Sequence, residues 1–154
     1  MNNVTFLTGN EDLIDRTEFL WEDLNKHHLT LSPHFKEYYS TLTFADRKQA
    51  ILQKALGGEI RVDIAINDSG KPVAYCTSSM DRWSTGEIES IFVSPHFRRQ
   101  GIGTALMKKA LQWLNSKGAK KKIVSVATGN EQAYVFYKQF GFYPRRTLLE
   151  QKSG

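Results

Sequence analysis

A glycine-containing loop between an apolar strand and an amphipathic helix constrains this sequence more than any other feature. The apolar run at residues 91–93 is followed by RRQGIG at 98–103 and by a helical pattern over 103–117. The apolar positions of that pattern recur every three or four residues, so they form one stripe along a helix. Glycines remove the side chains that block close approach, and free N–H groups at a helix N-terminus favour an anion. The loop therefore predicts a phosphate-binding site.

The remaining patterns place this loop in a chain of alternating strands and helices. Two-residue alternation and turn residues predict strands at 4–8, 60–67, 73–78, 87–93, 122–127 and 142–150. Three- to four-residue spacing predicts helices at 12–26, 44–56, 103–117 and 131–140. Thr43 and Asp46 have the spacing of a capping box at the start of the second helix. Antiparallel strands followed by strand–helix–strand–helix–strand indicate a mixed α+β sheet in one domain.

Length and composition limit the classes of protein that the chain can be. Its 154 residues correspond to about one domain, and no apolar run approaches the roughly 20 residues that span a bilayer. The N-terminal stretch lacks the profile of a signal peptide. A lone cysteine, Cys76, excludes an internal disulfide framework and fits a reducing cytoplasm. The four histidines are scattered, so we expect no metal site. The lack of a long apolar run and the lone cysteine lead us to expect no membrane span and a cytoplasmic location.

The net charge of +5 conceals an uneven distribution along the chain. Residues 1–96 carry 9 basic and 14 acidic side chains, whereas residues 97–154 carry 12 basic and 2 acidic ones. Such a chain can hold an anion with its second half and attract a cation with its first. The lysines at 117 and 120–122 are interpreted as a solvated loop, so no nucleic-acid partner is expected.

Three kinds of phosphate loop compete for the glycine motif. A dinucleotide fingerprint needs a third glycine at position 106, where the chain has Leu106. A nucleoside-triphosphate loop needs a Gly-Lys-Ser/Thr ending, which is absent from the sequence. The pattern Arg/Gln-x-x-Gly-x-Gly/Ala, directly after a strand and opening a helix, is matched at every position from Arg98 to Gly103.

With this loop the chain resembles the GNAT superfamily of acyl-CoA-dependent N-acyltransferases. A second motif, NEQAYVFYKQFGF, is similar to the superfamily's Asn-x-x-Ala-x-x-Phe-Tyr…Gly-Phe pattern. The resemblance implies a central mixed, largely antiparallel sheet of six or seven strands flanked by helices, with a splayed parallel strand pair that holds the cofactor. It also implies one domain over 1–154, in which 1–58 form the acceptor side and 86–142 the acetyl-CoA-binding core.

The resemblance further assigns residues to the cofactor, which is acetyl-CoA, with CoA as product. Backbone amides of the glycine loop hold the pyrophosphate, the end of the preceding strand pairs with the pantetheine arm, and one face of the last helix lies against the cofactor. Phe136 is also explained as packing, and Asn130 as a helix cap. The implied cofactor-binding residues are Ile91, Phe92, Val93, Arg98, Arg99, Gln100, Gly101, Ile102, Gly103, Thr104, Asn130, Ala133, Phe136 and Tyr137.

Three residues are candidates for the chemistry. Tyr137 resembles the superfamily's general acid, which protonates the departing CoA thiolate. An acceptor amine must lose a proton, and a carboxylate base would help it. Glu89 resembles the base position of polyamine acetyltransferases and Glu87 that of histone acetyltransferases; the acidic first half slightly favours Glu89. The two are two residues apart on a strand, so we expect them to face one side together with Ile91 and Val93.

The function is expected to be acetyl transfer to a small primary amine or polyamine by direct attack in a ternary complex. A covalent route through Cys76 is disfavoured, because no histidine lies near it in sequence and its strand context indicates a packed thiol. Two alternatives stay open, a protein N-terminal or lysine acetyltransferase and a non-catalytic CoA-binding regulator. Members of the superfamily often dimerise, so the resemblance also allows a homodimer.

Overall fold

The computed structural model describes residues 3–153 and contains one five-stranded sheet. The strands lie in chain order: β1 (Val4–Gly9), β2 (Glu59–Asn67), β3 (Pro72–Met80), β4 (Thr85–Val93) and β5 (Lys121–Val124). The first four are antiparallel neighbours, and only β4 and β5 run parallel. The predicted mixed, largely antiparallel α+β fold is confirmed. No helix within residues 3–153 is long and apolar enough to cross a membrane.

The antiparallel part of the sheet is joined by short turns that the sequence encodes. Between β2 and β3, the Asn67 side chain accepts hydrogen bonds from the amides of Ser69 and Lys71. Gly70 adopts φ +80°, which an L side chain rarely adopts. Between β3 and β4, the carboxylate of Asp81 accepts bonds from the amides of Trp83 and Thr85. The β2–β3 and β3–β4 hairpins are therefore both closed by polar side chains that imitate a backbone turn.

Helices cover both faces of the sheet. They are α1 (Glu18–Leu31), α2 (Lys36–Thr41), α3 (Phe44–Lys54), α4 (Ile102–Ser116) and α5 (Ala133–Lys138), with 3₁₀ helices at Glu11–Thr17 and Pro95–Phe97. The predicted capping box of α3 is present, because Thr43 and Asp46 exchange side-chain and backbone hydrogen bonds. The predicted end of the first helix before His27 is wrong: α1 continues to Leu31, and its final turns bury His28 against Tyr39.

Two apolar clusters form on opposite faces of the sheet. One contains Cys76, Ile88 and the stripe of α4, which includes Leu106, Met107 and Leu114. The other packs residues of β2–β4 against the first 3₁₀ helix, α1 and α3, and contains Ile14, Trp21, Ile64, Tyr75 and Phe92. Tyr75 and Cys76 are neighbours on β3 and belong to different clusters. This is expected of a strand that is covered on both faces, because successive side chains point to opposite sides of the sheet.

The strand count and the last predicted strand need correction. The sheet has five strands instead of six or seven, and residues 142–150 form none. Pro144 lacks the N–H that a ladder needs, and Arg145 and Arg146 put charges in the middle of the segment. Leu148 and Leu149 are 87% and 89% exposed, so the segment has no apolar surface to cover them. The tail therefore has strand-like residues without a strand partner in the described chain.

Candidate active site

The parallel pair β4 and β5 separates halfway along β4. Thr85 to Ile88 pair with Lys121 to Val124, and the ladder ends there. The second half of β4, up to Val93, has β3 on one side and, within residues 3–153, no strand on the other. A ladder that ends in this way leaves main-chain groups unpaired at the edge of the inner strand. The parallel ladder is therefore confined to the first half of β4, as a splayed parallel pair requires.

The hydrogen bonds of β3 determine which main-chain groups face the gap. The amide of Ser94 donates to the carbonyl of Val73 at 2.9 Å, which makes Ala74 and Val93 a non-hydrogen-bonded pair of the antiparallel ladder. The N–H and C=O of Val93 therefore point away from β3, and those of Ile91 do so by alternation. Phe92 lies in the intervening pair with Tyr75, so its main-chain groups are used within the sheet.

A β-bulge at Glu89 corrects the predicted arrangement of side chains on β4. Thr77 pairs with Ser90 and Ser78 pairs with Ile88, so Glu89 has no partner on β3. An extra residue reverses the faces that follow it. Glu87 and Glu89 do share a face, as predicted, but Ile91 and Val93 pack against the α4 cluster on the opposite one.

The glycine loop has backbone conformations that give it its shape. Gly101 has φ +81° and caps α4 with no side-chain hydrogen bond, and Arg99 also has a positive φ of 61°. The first bonded amide of the helix start is that of Ala105, which donates to the carbonyl of Gly101 at 3.0 Å. The amides of Ile102, Gly103 and Thr104 precede it and have no acceptor within the helix. They form the positive end of the α4 dipole.

Two further loop residues connect this helix start to its surroundings. A Cβ at Gly103 would lie 3.5 Å from Phe136 and 3.7 Å from Val93, so α4 begins directly between β4 and α5. The Arg98 guanidinium donates from Nε to the carbonyl of Val93 at 2.8 Å. The loop, the free edge of β4 and α5 therefore meet at one place.

Helix α5 contributes the residues of the second motif. Asn130 lies before the helix, and its amide oxygen is 3.4 Å from Nε2 of His27 on α1. Its side chain does not cap α5, whose capping residue is Gln132. The half-buried aromatic rings of Phe136 and Tyr137 pack against the α4 cluster, with their centroids 5.4 Å apart.

The hydroxyl of Tyr137 is held in its protonated form. Burial raises the pKa of Tyr137 to about 12, and nearby Cys76 adds to the shift. A phenol with such a pKa carries its proton at neutral pH and can donate it to a group that becomes more basic.

The two candidate carboxylates have different surroundings. The Glu89 side chain is 0% exposed: Ser79 Oγ donates to Oε2, while Lys54 Nζ and Arg47 Nη2 lie 3.0 and 3.3 Å from Oε1. The Glu87 side chain is 12% exposed and has one ion pair, with Lys54 at 3.1 Å. Burial and the neighbouring Glu89 carboxylate raise the pKa of Glu87, against the attraction of Lys54 and Arg47. A carboxylate with a raised pKa is a better base than an ordinary one.

Comparison with known proteins decides which family this arrangement belongs to. The sequence model of the acetyltransferase (GNAT) family matches residues 18–142, which is most of the chain. The chain belongs to the GNAT family. The family and the enzyme class predicted from the sequence, an acetyl-CoA-dependent N-acetyltransferase, are thereby confirmed.

Relatives with this GNAT sequence or fold include archaeal and bacterial proteins. An uncharacterised N-acetyltransferase of Methanocaldococcus jannaschii is 38% identical over 86 residues, which cover 52% of this chain and 38% of that protein. An aminoglycoside N(6′)-acetyltransferase of Acinetobacter genomosp. 13 is 24% identical over 141 residues, 90% and 87% of the two chains. The structure of AAC(6′)-Iy with a bisubstrate analogue containing CoA has a TM-score of 0.62 at 22% identity, over 99% of each chain, and shares the fold.

The cysteine of this GNAT protein lies in the core, as its strand context predicted. Cys76 is fully buried and contacts Ser78 Oγ at 3.7 Å. Burial raises the pKa of the Cys76 thiol to about 12. Because the thiolate is the nucleophile, a thiol with this pKa is a poor acyl carrier.

Sequence reasoning missed the cations around the two glutamates. Arg47 and Lys54 lie seven residues apart on α3, so two helical turns place them on one face toward β4. That spacing was readable in the sequence, but the partner strand was not, because the contacts join residues 33 to 42 positions apart. Ser79 was missed for the same reason, since its partner Glu89 lies across the β3–β4 hairpin.

Proposed function

We propose that this protein transfers the acetyl group of acetyl-CoA to a primary amine of a small molecule. The observation that carries the proposal is the opening where the β4–β5 ladder ends, directly beside the N-terminus of α4. The main-chain groups of Ile91 and the N–H of Val93 face this opening without a partner strand in the part of the chain that the structure describes. An extended arm that contains amides can pair with the main-chain groups of β4. A diphosphate can accept hydrogen bonds from the amides at the start of α4.

The residues around the opening fit coenzyme A. We assign the pyrophosphate to the amides from Gln100 to Thr104, where the helix dipole favours an anion. Arg98 and Arg99 add positive charge, although Arg98 also bonds the Val93 carbonyl. The remaining cofactor contacts are assigned to main-chain groups on β4 and to the α5 side, namely Ile91, Val93, Asn130, Ala133, Phe136 and Tyr137. Phe92 is not assigned a contact, because its main-chain groups pair with β3 and its side chain is buried on the opposite face of the sheet.

Tyr137 is proposed as the general acid. The amine nitrogen forms a bond to the thioester carbonyl carbon, and the carbon–sulfur bond breaks with its electron pair on sulfur. The phenol then gives its proton to that sulfur, so that CoA leaves as a thiol. The phenol carries its proton at neutral pH, and the rise of its pKa to about 12 makes it a weaker acid than an ordinary tyrosine. Its place on α5, packed against the α4 cluster beside the opening, supports the role.

Glu87 is proposed as the base that accepts the proton of the amine, directly or through water. An alkylammonium with a reference pKa near 10.4 is neutral for only roughly one part in a few thousand at pH 7, a handicap of about 4–5 kcal/mol. The sequence slightly favoured Glu89, but that carboxylate is enclosed by three donors, whereas Glu87 keeps some exposure. This difference in access supports Glu87.

A small amine is the proposed acceptor. Support comes from the aminoglycoside acetyltransferases among the relatives, which share most of their length with this chain. The acidic balance of residues 1–96 also favours a cationic acceptor. The acceptor-side segment 1–58 contains Tyr38 and Tyr39 on α2, and Tyr39 stacks near His28 at 5.7 Å.

The assignment is tested by thiol release from acetyl-CoA with a panel of aminoglycosides, diamines, polyamines and N-terminal peptides. Amine-dependent thiol release with small amines supports the proposal. Turnover with peptides alone supports the protein acetyltransferase alternative. Binding of CoA without turnover of any amine, even at high enzyme concentration, supports a regulator and contradicts the proposal. The reaction is proposed to need no metal, so its rate should be unchanged by EDTA.

We also infer that the protein forms a homodimer. Support comes from the exposed C-terminal segment, in which Leu148 and Leu149 lie side by side in solvent and Tyr143 is exposed nearby. Apolar side chains exposed together are typical of interaction surfaces.

A further inference from the structure

Glu89 lies where β4 stops pairing with β5 and where a bulge interrupts its ladder with β3. Ile88 is the last residue of β4 that pairs with β5, and Glu89 is the unpaired residue of the bulge against β3. A bulge bends its strand and increases the local twist. The direction that β4 takes beyond this point decides where the main-chain groups of Ile91 and Val93 are presented.

Contacts from two elements fix Glu89 at this point. Arg47 of α3 donates to its main-chain carbonyl at 2.6 Å and also reaches its carboxylate at 3.3 Å. Lys54, two turns further along α3, contacts the same carboxylate oxygen at 3.0 Å. Ser79 of β3 donates to the other carboxylate oxygen. Both the backbone and the side chain of the bulge residue are therefore tied to α3, and the side chain is also tied to β3.

We propose that Glu89 is a positioning residue, which together with Arg47 holds the bulge of β4 so that Ile91 and Val93 face the cofactor. The proposal rests on the proposed function for the place of the cofactor. It differs from a base role, because a carboxylate with 0% exposed surface and both oxygens bonded has no oxygen directed at an acceptor. A base role is left to Glu87.

A second buried ion pair in the same sheet provides a matched control. Asp63 on β2 also has a fully buried side chain, paired with Arg61 at 2.8 Å and bonded by the hydroxyl of Thr8. It lies between β1 and β3, away from the parallel pair. Loss of charge at Asp63 should perturb the fold as loss of charge at Glu89 does, without moving the second half of β4.

The test compares Glu89→Gln with Asp63→Asn, using calorimetric affinity for CoA, steady-state kinetics and amide chemical shifts. We expect Glu89→Gln to weaken CoA binding at least tenfold, to raise KM for acetyl-CoA and to move the Ile91 and Val93 amides in the free protein. The shape of its pH–rate profile should stay that of the wild type. Asp63→Asn should keep the CoA affinity within about twofold, whatever its melting temperature.

Several results would overturn the proposal. Unchanged CoA affinity in Glu89→Gln would show that the charged contacts of Glu89 do not hold the bulge in place. Loss of the acidic limb of its pH–rate profile, with KM for acetyl-CoA unchanged, would make Glu89 the base. If addition of CoA to the wild type leaves the Ile91 and Val93 amides unshifted, the cofactor does not lie along β4, and this part of the proposed function fails as well.

A variant of Arg47 provides a second test if Glu89→Gln does not fold. Arg47→Met leaves the carboxylate its bonds to Lys54 and Ser79 but removes the donor to the Glu89 carbonyl. We expect it to weaken CoA binding as Glu89→Gln does. Lys48→Met is its control on the same helix, because the ion pair of Lys48 is with exposed Asp15, away from β4. Equal CoA affinity of the Arg47 and Lys48 variants would contradict the proposal.

Discussion

At the scale of single residues, the surroundings of a side chain decide which chemistry it can perform. Tyr137 and Cys76 both carry acidic protons in the same region, and burial raises the pKa of each to about 12. The effect on function is opposite for the two residues. A thiol that stays protonated is a poor nucleophile, whereas a phenol that stays protonated remains a proton donor.

Tyr137→Phe tests the proposed acid. The change removes the proton donor and keeps the ring that packs against Phe136 and Phe142. We expect kcat to fall by about 10²-fold or more, within the usual range for acid–base catalysis, and the CoA dissociation constant to stay the same. Tyr134→Phe, on the exposed side of α5, is the control. A kcat equal to that of the wild type would remove Tyr137 from the mechanism.

His28 should make folding stability depend on pH. Burial, together with neighbouring His27, lowers its pKa from 6.5 to about 4, and its Nδ1 has no hydrogen-bond partner among the described residues. Since the unfolded chain binds the proton more tightly, the free energy of unfolding should fall as pH drops from 6.5 to 4. For this partly buried ring we expect a loss of about 1–2 kcal/mol.

The measurement is urea unfolding of wild type and His28→Gln at several pH values between 4 and 7.5. His28→Gln should be less sensitive to pH over that range by the expected amount. His34→Gln, which changes an exposed histidine, should follow the wild type. Equal pH sensitivity in wild type and His28→Gln would show that His28 titrates normally.

Local motifs explain which site residues could be predicted from the sequence. The glycine loop from Arg98 to Gly103 works through its own backbone, so its residue types reveal it directly. The contacts that fix Glu89 depend on Arg47, which is 42 residues away in sequence. Nothing near Arg47 in the sequence indicates its partner, so only the folded chain reveals the contact.

At the scale of elements, one extra residue in β4 changes the meaning of the strand pattern. The two-residue period correctly predicts that Glu87 and Glu89 lie on one face of the sheet. The prediction that Ile91 and Val93 lie on that face is wrong, because the bulge moves them to the opposite one. The long helix α4 was predicted within one residue at each end, since its apolar stripe and Gly118 mark it clearly. The predicted strand at 142–150 failed because a strand also needs a partner edge.

Thr43→Ala tests the start of α3, the helix that carries Arg47 and Lys54. The change removes the hydroxyl that accepts a bond from the Asp46 amide at 3.1 Å. We expect a loss of about 1 kcal/mol in the free energy of unfolding, measured by urea denaturation. Thr41→Ala, at the end of α2 where its hydroxyl bonds only carbonyls of its own helix, should cost less. Equal losses would mean that the capping box adds nothing.

Gly103→Val tests the start of α4 as part of the cofactor site. A Cβ fits there at ordinary contact distances, so Gly103→Ala should bind CoA almost as the wild type does. The two further methyl groups of valine would occupy the space between Val93 and Phe136. We expect at least tenfold weaker CoA binding by calorimetry for the valine variant. Wild-type affinity in Gly103→Val would mean that the cofactor lies elsewhere.

At the scale of the whole molecule, the sheet and its helices are followed by a C-terminal tail whose apolar side chains stay exposed to solvent. The basic second half of the sequence contains α4, α5 and this tail, and the acidic first half contains α1 to α3. This division agrees with an anionic cofactor on one side and a cationic acceptor on the other. The sequence predicted this division, but it did not predict that the tail would lack a strand partner.

The double change Leu148→Ser and Leu149→Ser tests the proposed homodimer. If the two leucines are buried between copies, the double variant should be monomeric by light scattering at concentrations where the wild type is a dimer. Leu56→Ser, which changes an exposed leucine outside the tail, should remain a dimer. A monomeric wild type, or a double variant that stays dimeric, would contradict this role of the tail.

Coenzyme A is proposed to lie between β4 and β5 with its diphosphate on the first turn of α4. A crystal structure of the protein with bound CoA is the decisive experiment. We expect diphosphate oxygens about 2.7–3.2 Å from amides between Gln100 and Thr104, and pantetheine bonds to main-chain groups of Ile91 or Val93. A diphosphate held elsewhere, with these amides unoccupied, would show that the cofactor site is wrongly assigned.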